Sequence, residues 1–316
     1  MAKPNRVAIV GLGNVGASFA YALLFRGLAS EIVLIDANKA KAEGEAMDLN
    51  HAVPFTHSTR IWAGDYSDCA GAVVTVITAG AAQKPGETRL DLVKKNTRIL
   101  ASIVPEVVKN NPDGIVLVAS NPVDVLSYVA WKLSGLPSDR VFGSGTILDT
   151  ARFRYLLSQH FDVDARSVHG FIIGEHGDSE VPVWSLTNIA GMRLPEYTQH
   201  NNANCSQEEM DSIFTQTRDA AYHIIERKGA TYYAVAAGLM RITEAILRNQ
   251  STVLSVCSLV KGNYGIEDVF LSLPTVLHRG GIERVIHLEL SEEEESKLKN
   301  SARVLHETIE GIKGLI

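Results

Sequence analysis

Short apolar, β-branched runs alternate with longer stretches of helical periodicity from residue 6 to about residue 146. That alternation is the pattern of βαβ units feeding a parallel sheet. The runs predict strands at 6–10, 31–36, 60–63, 73–78, 114–119 and 141–144, with helices near 15–26, 39–50, 90–110 and 123–133 between them. Six strands with crossovers on both faces make two mononucleotide-binding halves, a doubly wound α/β sheet. After Gly145 the alternation stops. The pattern there predicts a helix near 148–160, short strands with turns, and helices near 207–228 and 231–247. A strand-rich stretch over 252–288 follows, turning at Lys261-Gly262-Asn263-Tyr264, and then a charged helix from Ser291. The expected organisation is a doubly wound domain over 1–145 and a mixed α+β domain over 146–316. Ser291 is a good N-cap, and Glu292 to Glu295 suit the positive end of a helix, so this acidic cluster reads as helix chemistry. No internal repeat, low-complexity segment or flexible linker stands out.

Composition says more about what the chain is not. Its 316 residues are 46% hydrophobic and 21% charged, an ordinary globular balance with length for two cores. A formal charge of -6 and a pI near 5.9 leave no surplus cation to neutralise a phosphate backbone, so nucleic acid is not an expected partner. No apolar stretch reaches the length of a membrane span. The first strand follows Met1-Ala2-Lys3-Pro4-Asn5 so closely that a signal peptide's apolar segment has no room. Cys69, Cys205 and Cys257 are odd in number and far apart, which suits reduced thiols, and none has metal-ligand spacing. The expectation is a cytoplasmic protein with no metal.

The first βα turn carries the strongest local signal. Val7-Ala8-Ile9-Val10 leads into Gly11-Leu12-Gly13-Asn14-Val15-Gly16, a helical stretch, a second apolar run and then Asp36. A GxGxxG alone is weak, but here a strand precedes it, a helix follows, and an acid lies about 20 residues on. Gly11 allows the sharp turn, Gly13 lets the backbone approach a pyrophosphate, and Gly16 lets helix and strand pack closely. The phosphates then meet the helix N-terminus. Asp36 can accept both ribose hydroxyls and would repel a 2′-phosphate, so the pattern favours NAD over NADP in a Rossmann-type fold.

Ligands of open α/β sheets lie beyond the carboxyl ends of the strands, and four segments there carry chemistry. Ala79-Gly80-Ala81-Ala82-Gln83-Lys84-Pro85-Gly86-Glu87-Thr88-Arg89 has the glycine, proline and charge of a lid. Ser120-Asn121-Pro122-Val123-Asp124 places an amide able to bond a nicotinamide or a substrate. Thr146-Ile147-Leu148-Asp149-Thr150-Ala151-Arg152 puts a carboxylate and a guanidinium on one helix face. Gly174-Glu175-His176-Gly177-Asp178-Ser179-Glu180 flanks a histidine with glycines. Singly, each also reads as a solvated loop, a turn, a surface ion pair or a polar turn. Together they supply what reduction of a keto acid needs. Arginine grips a carboxylate with its planar fork, and histidine titrates near neutrality and can protonate the carbonyl. A carboxylate orients that histidine, and a second cation under a closing lid stabilises the developing charge.

Over nearly the whole chain these segments resemble the NAD-dependent L-lactate dehydrogenases of the bacterial type, within the lactate/malate dehydrogenase family. Lys228-Gly229-Ala230-Thr231-Tyr232-Tyr233 and the extension Phe153-Arg154 belong to the same resemblance. It implies His176 as acid/base, Asp149 as its carboxylate partner, Arg152 as the substrate clamp and Arg89 as the lid residue polarising the carbonyl. Asn121 corresponds to a residue shared by substrate and nicotinamide, and Thr231 lies near the substrate's small end. Val15, Asp36, Lys41, Tyr66, Gly80, Ala81 and Ser144, with Gly11, Gly13 and Gly16, match positions lining the NAD site. The family includes malate dehydrogenases, whose substrate carries a second carboxylate and is met by Arg where this chain has Gln83. A neutral Gln83 would leave that charge unpaired, so pyruvate and L-lactate are the expected substrates, with other 2-hydroxy acids as the broader alternative. A non-catalytic NAD-binding scaffold would have no need of this residue set. Arg154 and His169 match positions at which bacterial relatives bind fructose 1,6-bisphosphate across a subunit interface, which implies an allosteric homotetramer. Two positions depart from the usual pattern: Ala82 where Asn often precedes the glutamine, and Ala234 where Gly often follows the tyrosine pair. Both bear on lid closure and pocket width.

Overall fold

The computed structural model describes residues 5–82, 86, 88–201 and 203–315. The first half runs β1 (Arg6–Val10), α1 (Asn14–Arg26), β2 (Glu31–Ile35), α2 (Lys39–Ala52), β3 (Arg60–Ala63), β4 (Val74–Ile77) and α3 (Arg89–Asn110). It closes with β5 (Ile115–Val118), α4 (Val123–Ser134) and β6 (Val141–Gly143). The six strands are parallel in the order β3-β2-β1-β4-β5-β6, the doubly wound arrangement expected. The order reverses between β1 and β4, where such sheets open a crevice. Side chains alternate along β1: Val7 and Ile9 enter one core with Phe19 and Leu23 of α1 and Ala42 of α2, while Ala8 and Val10 enter the other with Val93 and Leu100 of α3. Both faces are covered, which is why these strands read as unbroken apolar runs.

The second half opens with α5 (Ile147–Phe161), then β7 (Val168–His169), β8 (Ile172–Ile173), β9 (Val181–Pro182), β10 (Asn188–Ile189), β11 (Met192–Arg193) and α6 (Leu194–His200). The short strands form a pair, β8-β9, and a triplet, β11-β10-β7, over a third core of Phe153, Leu157, Phe161, Val168 and Ile172. Long helices α7 (Gln207–Lys228) and α8 (Tyr233–Leu247) follow where expected. The sequence reading missed α6, which is too short to show a period and has Pro195 in its first turn.

The last elements are β12 (Thr252–Lys261), β13 (Glu267–His278), β14 (Gly281–Val285) and α9 (Glu292–Glu310). The strand-rich stretch was expected inside the second domain. Its strands instead extend the first sheet: β12 runs antiparallel to β6 through Cys257 and Gly143, and β13 and β14 continue outward. Gly143 permits the approach, since a Cβ there would stand 2.2 Å from Ser127 Oγ and 3.3 Å from Cys257 Cβ. Leu298 and Leu305 of α9 enter the core that holds Val93 and Leu100, while Leu239 and Ile242 of α8 enter the one holding Phe19. Both large cores therefore draw on residues from either side of position 145. Among the described residues no helix is long and apolar enough to cross a membrane.

Candidate active site

The cofactor end is built by the β1–α1 turn. Gly11 has φ +99° and a Cβ there would meet Ala79 N at 2.4 Å; at Gly16 a Cβ would stand 2.0 Å from the Gly11 carbonyl oxygen. Only hydrogen fits at either position. Gly13 is different: a Cβ would find nothing within 4 Å, so it faces open space. Gly13 also N-caps α1 without a side-chain bond, and no acid lies in the first turn, whereas α2 is capped by Asn38 and α3, α7 and α9 by full capping boxes. The amides of the first turn are thus open to an anion. Asp36 directly follows β2 with both carboxylate oxygens fixed, Oδ2 accepting from Leu12 N at 2.7 Å and Oδ1 from Asn38 N at 2.8 Å. A bare helix start, an open glycine and a fixed carboxylate fit a dinucleotide pyrophosphate and its ribose. Val15 is half-buried beside the turn, Lys41 is exposed on α2, and Tyr66 is half-buried with burial pushing its phenol up. Ser144 follows β6 and donates from its backbone to Val118.

Gly80 and Ala81 start the segment after β4, and a residue the sequence reading overlooked ties it down. Asn96 of α3 is 1% exposed. Its Oδ1 accepts from Ala81 N at 2.8 Å, and its Nδ2 donates to Asn121 O at 2.8 Å and to Ala81 O at 3.3 Å. One amide thus links the start of the segment after β4 to the Asn121 turn. Gln83, Lys84, Pro85 and Glu87 lie outside the described residues.

A cavity of about 260 Å³ is lined by Arg89, Asn121, Asp149, Arg152, His176 and Glu180, among others. Asp149 and Arg152 project from the first turns of α5, and Asp149 is buried. Its Oδ2 lies 2.5 Å from His176 Nδ1 and its Oδ1 accepts from Arg152 Nη1 at 2.8 Å. An ionised carboxylate here keeps the proton on Nδ1 and turns Nε2 away from the pair. Burial by itself lowers the His176 pKa, but the charge and hydrogen bond of Asp149 outweigh it and hold the imidazole up at about 9. Burial pushes the other way on Asp149, yet His176 and Arg152 keep its carboxyl below the usual range.

Three more buried carboxylates surround the histidine. Asp124, on α4, accepts from the His176 backbone N–H at 2.7 Å, and burial raises its carboxyl to about 6. Glu175 is paired with Arg89 and Ser179. Glu180 is 6% exposed with Oε1 lacking a partner among the described residues, and burial first, then the charge of Asp149, push it well above the carboxyl range. Asn96 was detectable as a polar residue on the buried helix face that carries Val93, Leu100 and Val104. The acids sat within the motifs noticed, but their partners are distant in sequence, so no local spacing marks them.

Other expected residues lie apart. Thr231, between α7 and α8, lines a neighbouring apolar cavity of about 550 Å³ that meets the first at Arg152. Arg154 donates through Nε to Gly170 O at 2.9 Å, with its guanidinium 5.3 Å from the Phe171 ring centroid. Its hydrogen bond goes to a carbonyl, and the exposed His169 is next to that carbonyl's residue. No group of acids, cysteines and histidines suited to a metal occurs among the described residues.

The family model for the lactate/malate dehydrogenase NAD binding domain matches residues 5–143, and that for the lactate/malate dehydrogenase alpha/beta C-terminal domain matches 146–315. An L-lactate dehydrogenase 2 of Bacillus cereus is 55% identical over 306 residues, covering 96% of this chain and 97% of its own length. An L-lactate dehydrogenase 1 of Clostridium acetobutylicum is 52% identical over 312 residues, 99% and 100% of the two chains. Among solved structures, a lactate dehydrogenase from a Medee basin deep-sea metagenome library superposes with a TM-score of 0.96 at 47% identity, covering 99% of this chain and 100% of that one. The minor L-lactate dehydrogenase of Enterococcus mundtii does so at 0.95 and 43%, covering 98% and 99%.

Proposed function

The chain belongs to the lactate/malate dehydrogenase family, and on that premise we propose that it is an L-lactate dehydrogenase interconverting pyruvate and L-lactate with NAD. The observation that carries this reading is a single buried carboxylate, Asp149, serving His176 and Arg152 at once. Arg152 spends one of its five donors on Asp149 and keeps others to take the substrate carboxylate as a fork. Protonated His176 donates from Nε2 to the keto oxygen and releases that proton as the carbonyl becomes an alcohol. Asp149 stabilises the imidazolium until then. Bound NADH supplies the hydride. Arg89 stabilises charge growing on the oxygen, and Asn121 orients the carbonyl at the nicotinamide end.

Residues 1–145 serve the cofactor and 146–316 the substrate in this reading. Pyruvate is preferred to oxaloacetate because Gln83 offers no cation to a second carboxylate. Parallel NADH-absorbance assays with both keto acids test it. A higher kcat/KM for pyruvate is expected, whereas a higher value for oxaloacetate makes the chain a malate enzyme and no turnover of either makes it a scaffold. A homotetramer activated by fructose 1,6-bisphosphate is the further part of the proposal. Arg154, bonded to a carbonyl, and exposed His169 beside it would meet their symmetry copies as a cationic cluster awaiting a polyphosphate. Titrating the sugar bisphosphate at subsaturating pyruvate should raise the rate, and an unchanged rate and assembly state would remove this part alone.

A further inference from the structure

Glu175 is a buried carboxylate to which the proposed chemistry gives no task. It is 1% exposed and adjoins His176 in the chain. Its backbone N–H donates to Ser301 Oγ of α9 at 2.7 Å, one carboxylate oxygen accepts from Ser179 Oγ, and the other is ion-paired with Arg89. Ser301 is itself fully buried. Glu175 is therefore fixed to the scaffold on one side and to the lid arginine on the other.

We propose that Glu175 is a positioning residue: it holds the Arg89 guanidinium over Gly177 at the mouth of the His176 cavity, leaving the arginine's other donors to face the substrate carbonyl. The inference rests on the reading of Arg89 as the residue that stabilises the carbonyl. Arg89 is the first residue of α3, where the Thr88–Asp91 capping box fixes its backbone but not its long side chain. A guanidinium never loses its charge, so its usefulness depends on where it is held. A Cβ at Gly177 would stand 3.2 Å from the Glu175 carboxyl carbon and 3.5 Å from Arg89 Nη2. The missing side chain leaves room for the guanidinium to cross. Arg89 lines the same cavity as Asn121, Arg152 and His176, so the contact holds it at the site and not away from it. One Nη2 N–H given to Glu175 leaves four N–H donors.

A double-mutant cycle tests the idea. Glu175→Gln keeps size and can still accept from Ser179, but removes the charge that holds Arg89. Pyruvate kcat should fall about 10- to 100-fold, the scale on which ångström misplacement of a reacting group acts. The NADH Kd and Tm should stay as in the parent. In an Arg89→Gln background the same change should cost nothing further. An equal loss in that background would make Glu175 a support for the histidine segment only, an unchanged kcat would give it no role, and a rise in kcat would make it a restraint. Each overturns the proposal. Should Glu175→Gln not fold, Glu175→Asp carries the test: charge kept on a shorter arm should lower kcat, and again only when Arg89 is present. If Arg89→Gln leaves pyruvate kcat intact, the reading of Arg89 fails first, which the single mutant shows separately.

Discussion

At the residue scale the site is a contest between burial and charge, and the His176–Asp149 contact at 2.5 Å decides it. With the imidazole held at about 9, His176 stays protonated through neutral pH, the form the proposed reaction needs to receive pyruvate. The shift is upward, so the stability it contributes is complete below an ordinary histidine pKa of about 6.5 and is lost as pH rises through about 9. The pyruvate KM should stay flat below that window and climb through it, steepened as Glu180 ionises beside Arg152. Asp149→Asn removes the counterweight and leaves burial, with the weaker pull of Asp124 and Glu180. The rise in KM should then move at least about one pH unit lower, read from kcat/KM–pH profiles. An unmoved profile would mean that Asp149 does not set the histidine. His176→Gln should lower turnover by about 10²- to 10⁴-fold at unchanged Tm, the range expected for a general acid. Near-normal turnover would sink the mechanism.

At the element scale the β1–α1 turn separates fold from function at neighbouring glycines. Gly16→Ala drives a Cβ to 2.0 Å from a carbonyl oxygen, so it should lower Tm and abolish NADH binding together. Gly13→Ala meets no protein atom within 4 Å. It should keep the parent Tm while raising the NADH Kd at least about tenfold by occupying the approach of the pyrophosphate. A thermal melt and a fluorescence titration of NADH check both, and unchanged affinity in Gly13→Ala would place the pyrophosphate elsewhere. This unit was legible because every part of it is local: the strand, the glycines, the helix and Asp36 fall within one stretch of sequence. The first six strands and most helices were legible for the same reason, their periods being long enough to see. The placement of β12 was not, because an apolar alternating strand reads alike whichever sheet it joins, and its register beside Gly143 is set by a contact across more than a hundred residues. Asp124 and Glu175 escaped likewise. Their side chains act on partners brought by other elements, and no spacing encodes that.

At the scale of the whole molecule, the outer surface of one helical layer exposes several large apolar side chains. Helices α1, α2 and α8 pack on the same core, yet their outward sides carry Tyr21 at 52% and Phe25 at 47% exposure, Met47 at 62% and Tyr233 at 70%. Tyr21 and Phe25 lie with ring centroids 4.4 Å apart, a ready-made anchor. Scattered exposed apolar residues need no explanation, but several aromatics on one layer suit a surface covered by a second copy, and a stable interface takes about 800 Å² per partner. A self-complementary contact about a two-fold axis would double each aromatic's effect. The chain should therefore sediment as a multimer. Tyr21→Asp with Phe25→Asp should shift it to a smaller species and make its Tm depend on protein concentration, since assembly stabilises by mass action. Both side chains point away from the core, so the folded subunit should survive the change, as circular dichroism would report. A double mutant that still sediments as the parent places the interface on another face, and a parent that sediments as a monomer removes it together with the shared bisphosphate site.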